Sequence, residues 1–192
     1  GAPINSAGTA TYTLTFTSAA STTLTNGSGS GITLVTTGTV ASCTASAQTP
    51  TASGATVTVT GCTGGGTVAI RLNANTLDNG AGTKNTLSAA SSTATVNNTA
   101  PTVSFSAPSS SPINSSGTTT YTLTFTDAAS TTLTNASGSG ITLVTTGSVV
   151  ACVATVSSPS SAGASVSVTG CLGDGTVAIK LDANTLNNGA GT

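Results

Sequence analysis

The feature that most restricts the fold of this chain is an internal duplication. Pro3–Thr17 reads PINSAGTATYTLTFT and returns at Pro112–Thr126 as PINSSGTTTYTLTFT. GSGITLVTTG at Gly29–Gly38 returns at Gly138–Gly147, and NGAGT at Asn79–Thr83 returns at Asn188–Thr192. The offset is 109 residues throughout, and 59 of the 83 aligned pairs are identical. That period is too long for a solenoid coil or a propeller blade. It is the size of one independently folding domain. Two tandem modules are therefore expected, over residues 1–98 and 99–192.

The register of the duplication carries a second expectation. The chain of 192 residues exceeds one period by 83, so the 26 residues Lys84–Ser109 occur once, between the copies. The chain reads as cut out of phase with its own repeat: a piece of a longer array, or one whose missing segment comes from a neighbouring molecule. Module 1 then lacks a counterpart of its first strand, seen at Thr102–Ser106. Module 2 lacks a counterpart of its last strand, seen at Ala94–Asn97.

Alternation with period two signals strands. Tyr12, Leu14 and Phe16 share one face, as do Tyr121, Leu123 and Phe125, with Thr on the other. Ala55, Val57 and Val59 alternate with Thr; Ala164, Val166 and Val168 alternate with Ser. Val68, Ile70 and Leu72 flank Ala69 and Arg71, and Val177, Ile179 and Leu181 flank Ala178 and Lys180. Further strands are expected at Ile32–Val35, Val40–Ala47, Ala94–Asn97 and Thr102–Ser106, and Leu77 and Leu186 in buried turns. Thr and Val suit a half-buried pleated surface, whereas Glu is absent and Lys and Gln are nearly so, which argues against helices. Turns rich in Gly and Asn separate the strands, at Asn26–Gly29, Thr63–Gly66 and Asn79–Gly82. About seven short strands per copy, apolar on one face, indicate two sheets packed face to face, a β-sandwich. Asn97–Pro101 should be a short, stiff linker that favours an extended rod.

Four cysteines allow three pairings, but a module that folds alone closes its own pair. The expected disulfides are Cys43–Cys62 and Cys152–Cys171, each spanning 19 positions. In copy 1 the bridge lies near the open end of a hairpin formed by Val40–Ala47 and Ala55–Thr60 around Pro50–Gly54, with an irregularity at Gly61. A loop of this size contributes roughly 3 kcal/mol. Two thiolates without His make a poor metal site. Paired disulfides imply an oxidising compartment outside the cytoplasm.

The strings Val96–Val103 (VNNTAPTV), Tyr121–Phe125 (YTLTF), Thr169–Val177 (TGCLGDGTV) and Asn188–Gly191 (NGAG) resemble bacterial immunoglobulin-like repeat modules, which occur in long surface proteins and adhesins. The resemblance covers both copies nearly end to end. It implies the immunoglobulin-like form of the sandwich and a place at the cell surface. Related adhesin modules carry Asp where this chain has Asn97 and bind calcium at such junctions, so the Asn weighs against inter-module calcium.

Composition narrows the chemistry. Only 4% of residues are charged and the net charge is -1, against roughly 25% charged residues in an average domain. There is no electrostatic footprint for nucleic acid or an anionic membrane, and no run approaches the roughly 18 apolar residues of a membrane-inserted helix. With no His and four Asp as the only acids, neither a nucleophile–base pair nor a paired-carboxylate site can be built. No Asp is matched by an acid in the other copy: Asp174 faces Gly65, and Asp78 faces Asn187. Gly173-Asp174-Gly175 therefore reads as a tight turn. Arg71 and Lys180 match in charge and read as solvated strand positions; an isopeptide crosslink would need an amine that Arg71 lacks. Neither enzymatic activity nor a cofactor is expected.

One surface carries functional promise. Thr9, Thr11, Thr13, Thr15 and Thr17 should form an outward column, able to engage glycan, ice or another surface. Thr is also simply a good solvent-facing strand residue. The sequence thus supports a structural spacer in an extracellular bacterial filament, stalk or adhesin, whose partners are neighbouring copies of itself. The alternative is an adhesive module acting through its Thr faces.

Overall fold

The computed structural model describes residues 1–191. The protein is all-β: among the described residues there is no helix. The chain divides into two compact units, Gly1–Thr99 together with Ala190 and Gly191, and Ala100–Gly189.

The first unit contains β1 (Thr9–Thr15), β2 (Ser21–Thr22), β3 (Ile32–Thr36), β4 (Thr44–Thr51), β5 (Gly54–Thr60), β6 (Gly65–Leu72), β7 (Leu77–Asp78) and β8 (Ala94–Asn97). Its sheets run β1-β5-β4 and β3-β6-β8, with β2 paired to β7. All pairings between these strands are antiparallel. The period-two pattern fixes which side chains go inward. Ala10, Tyr12, Val57 and Val59 of one sheet meet Val68, Ile70 and Val96 of the other in one buried cluster. A second cluster joins Leu24, Ala47, Ala55 and Leu72. Each fully buried Val or Ile contributes roughly 1.5–3 kcal/mol relative to exposure.

The second unit contains β9 (Thr102–Phe105), β10 (Thr118–Thr126), β11 (Ser130–Thr131), β12 (Ile141–Thr145), β13 (Val153–Ser160), β14 (Gly163–Thr169), β15 (Val177–Leu181) and β16 (Leu186–Asn187). Its sheets run β13-β14-β10-β9 and β12-β15, with β11 paired to β16. Tyr121 lies opposite Val166 as Tyr12 lies opposite Val57. One continuous core holds Tyr121, Leu123, Phe125, Val156, Val166 and Val168.

Several local expectations need correction. The strand expected over Val40–Ala47 begins only at Thr44, because Ser42 has a positive φ of 56° and Ala41 bridges to Thr63 instead. The same strand continues to Thr51, through a bulge between Gln48 and Thr51 in which Thr49 has φ 44°. The hairpin turn is thus narrower than Pro50–Gly54. Pro50 is tolerated because β4 is an edge strand, where a missing N–H breaks no ladder. Leu77 and Leu186 open two-residue strands and are half-buried, not enclosed in turns.

Candidate functional site

The two disulfides form as the duplication requires, Cys43–Cys62 and Cys152–Cys171, and no cysteine is left free. Each sits just beyond the open end of its hairpin, where Thr44 pairs with Thr60 and Val153 with Thr169. Gly61 and Gly170 then turn the chain with φ of 69° in both. The bridges point to an oxidising environment.

Thr9, Thr11, Thr13, Thr15 and Thr17 are all exposed. Across the sheet Thr9, Thr11 and Thr13 lie beside Thr60, Thr58 and Thr56, and these beside Thr44, Ser46 and Gln48. The result is a hydroxyl-rich outer face. Of the five aromatic side chains only Phe105 is exposed, at 41%.

Asp174 does its work through its backbone: its carbonyl accepts from Ser148 N–H at 2.8 Å, and its own N–H donates to Ser148 Oγ at 2.9 Å. Lys180 is exposed, whereas Arg71 is half-buried with an Nε that lacks a partner. Lys84 Nζ lies 2.8 Å from Asp78 Oδ2, and this contact holds the carboxyl below its usual range. Among the described residues no three His, Cys, Asp or Glu side chains cluster as a metal site would need. Nor is any helix long and apolar enough to cross a membrane.

The edges of the sheets are the most informative surfaces, and sequence reasoning identified only part of them. Strand β10 is paired from Thr126 back to Leu123 by β9, and beyond that by serines. Ser106 N–H donates to Thr122 O at 2.9 Å, and Thr122 N–H returns a bond to Ser106 Oγ at 2.9 Å. Three residues on, Ser109 N–H donates to Thr120 O, and Thr120 N–H to Ser109 Oγ. The first unit uses the same device on β6. Ser88 exchanges both bonds with Leu72, and Ser91 with Ile70, at 2.9–3.0 Å. In each case a hydroxyl stands where a neighbouring strand would offer a carbonyl. The signal was present as two strings, Ser88-Ala89-Ala90-Ser91-Ser92 and Ser106-Ala107-Pro108-Ser109-Ser110.

Each device occurs in one unit only, so identical strands experience two environments. Leu123 and Phe125 are 1% and 7% exposed under β9, while Leu14 and Phe16, without such cover, are half-buried. Conversely Val68, Ala69 and Ile70 are 0–2% exposed beneath β8 and the Ser88–Ser91 segment. Their counterparts Val177 and Ile179 are half-buried, and Ala178 is exposed. Strand length follows the same rule. Gly65–Thr67 belong to β6, but Asp174–Thr176 lie outside β15.

Comparison with family models, curated proteins and solved structures finds no match to this chain.

Proposed function

We propose that this protein is a structural spacer and assembly element of a repetitive extracellular bacterial surface protein or filament. It is built from tandem immunoglobulin-like sandwiches whose open edges are completed by strands shared with a neighbouring copy. The observation that carries the reading is the pair of contrasting edges. The outer edge of β1 and the outer edge of β15 have no strand partner among the described residues, while the same sequences elsewhere in the chain are covered. A sparsely charged surface supports lateral or end-to-end association, since little repulsion keeps copies apart. Open edges invite strand addition. Disulfides limit how far each module can be stretched. The reading is non-enzymatic, in keeping with a sequence that has no His to act as base beside the many hydroxyls. Electron microscopy of native material tests it: rods or an ordered polymer are expected, and isolated globular particles would overturn it.

The outer Thr face favours a second reading, adhesion to glycan or ice through Thr9, Thr11, Thr13, Thr15 and Thr17. Its test is retention on a glycan surface, or ice-growth inhibition, lost on replacing Thr11 and Thr13 by bulky Lys.

A further inference from the structure

In the first unit, β8 lies between two partners. On one side it pairs antiparallel with β6: Asn97 opposite Gly65, Val96 opposite Gly66, Thr95 opposite Thr67 and Ala94 opposite Val68. On the other side it runs parallel to Ile4, whose N–H donates to Thr95 O at 2.9 Å and whose carbonyl accepts from Asn97 N–H at 2.8 Å. Val96 is 1% exposed and belongs to the core. Asn98 locks the end of the strand. Its Nδ2 donates to Cys62 O at 3.1 Å and Gly64 O at 2.9 Å, and its Oδ1 accepts from Ser6 N–H at 2.7 Å.

Every one of these receiving groups recurs in the second unit, where no strand lies against them among the described residues. Ile113, Ser115, Cys171, Gly173, Gly175 and Val177 stand at the positions of Ile4, Ser6, Cys62, Gly64, Gly66 and Val68. All six line one open groove of about 450 Å³. Ser115 N–H and the carbonyls of Cys171 and Gly173 have no hydrogen-bond partner among the described residues. Gly175 keeps the backbone of Gly66, with φ of 151° against 146°. Two residues change along the groove, Leu172 for Thr63 and Asp174 for Gly65. A Cβ at Gly65 meets nothing nearer than Val96 O at 3.9 Å, so a side chain can begin there without touching the strand.

We propose that this groove is a socket for a strand with the sequence Ala94–Asn98 (ATVNN), presented by another copy of the repeat. The strand enters antiparallel to β15, with the Val opposite Gly175 and plugging the core beside Ile113. The final Asn takes the Ser115 N–H and the two carbonyls. Specificity comes from the Val plug and the Asn lock together, since strand addition alone accepts many sequences. This deepens the assembly reading above and rests on it only for the source of the strand.

The test uses the full chain, isotopically labelled, titrated with a synthetic peptide of the sequence Thr93–Thr99 and followed by amide chemical shifts. Saturable shifts at Ser115 and Gly173–Ile179, with the first unit unmoved, are expected. A peptide carrying Val96→Asp should bind at least tenfold more weakly, and one carrying Asn98→Ala several-fold more weakly. Absence of shifts at millimolar peptide would overturn the socket, as would shifts confined to the first unit or equal binding by a scrambled peptide. Such a failure leaves the spacer reading standing, because microscopy of the native material judges that separately.

Discussion

Tyr12 and Val68 tie the two sheets of the first unit together: the phenol donates to the Val68 carbonyl at 2.6 Å, across 56 positions of sequence. Tyr121 and Val177 repeat the bond at 3.0 Å. Tyr12 is 9% exposed, so its partner cannot readily exchange this bond for water. Replacing Tyr12 by Phe should cost about 1 kcal/mol. In a unit of this size that is a fall of roughly 4–8 °C in Tm, measurable by calorimetry.

The same residue sets an alkaline limit. Burial raises the Tyr12 pKa above its usual value, and a backbone hydrogen bond from Ala94 only partly opposes this. A group with a raised folded pKa contributes stability that is complete below its unfolded pKa, about 10 for Tyr. That contribution is lost as pH rises through the folded value. Denaturation midpoints should therefore drop above about pH 10, and the Tyr12→Phe variant should lose less over that window. An equal loss in both proteins would contradict the assignment.

Reduction should act on extensibility as well as stability. The 19-position span between Cys43 and Cys62 stays closed when an oxidised module is pulled apart. Single-molecule stretching should show each unfolding step lengthen by about 60 Å after reduction, from the extended length of those residues. Each module should also lose about 3 kcal/mol.

The serine edge makes a residue-level prediction. Ser88→Ala and Ser91→Ala remove the acceptors of Leu72 N–H and Ile70 N–H. Each should cost about 1 kcal/mol. The mutated positions should be recognisable by faster hydrogen exchange at those two amides, with Val68 little changed. Ser106→Ala and Ser109→Ala should do the same at Thr122 and Thr120.

Asn98→Ala should loosen two segments at once. It abandons Ser6 N–H and the carbonyls of Cys62 and Gly64. The expected cost is about 1–3 kcal/mol, with faster hydrogen exchange at Ser6 and Asn97. Unchanged exchange there would mean that Ile4 and Val96 hold the segment alone.

The sheet faces were legible because Tyr12, Leu14, Val57 and Val59 alternate with hydroxyl residues, and period two leaves no freedom over which side is buried. The disulfides were legible because a repeat that folds alone leaves each Cys one partner. Strand ends were harder to read. Ser42 and Thr49 take positive φ at ordinary residues, which no local composition announces. The serine edges went unread for a different reason: Ser88 and Ser91 act through side chains on a distant strand, and neither alternation nor turn chemistry reports such a contact. The same holds for Asn98, whose sequence position suggests only a linker.

The hydroxyl-for-carbonyl substitution on β6 and β10 also decides where a sheet stops growing. A regular strand that covers an edge exposes a fresh edge of its own, ready for the next chain. Most proteins defend that frontier with lysines, and here there are only two in the whole molecule. A serine-docked segment fills the inner side while turning no ordered ladder outward, because Ser88, Ser91 and Ser106 bend their hydroxyls onto their own neighbouring carbonyls. On a surface with so few charges, such terminators guard against uncontrolled edge-to-edge aggregation.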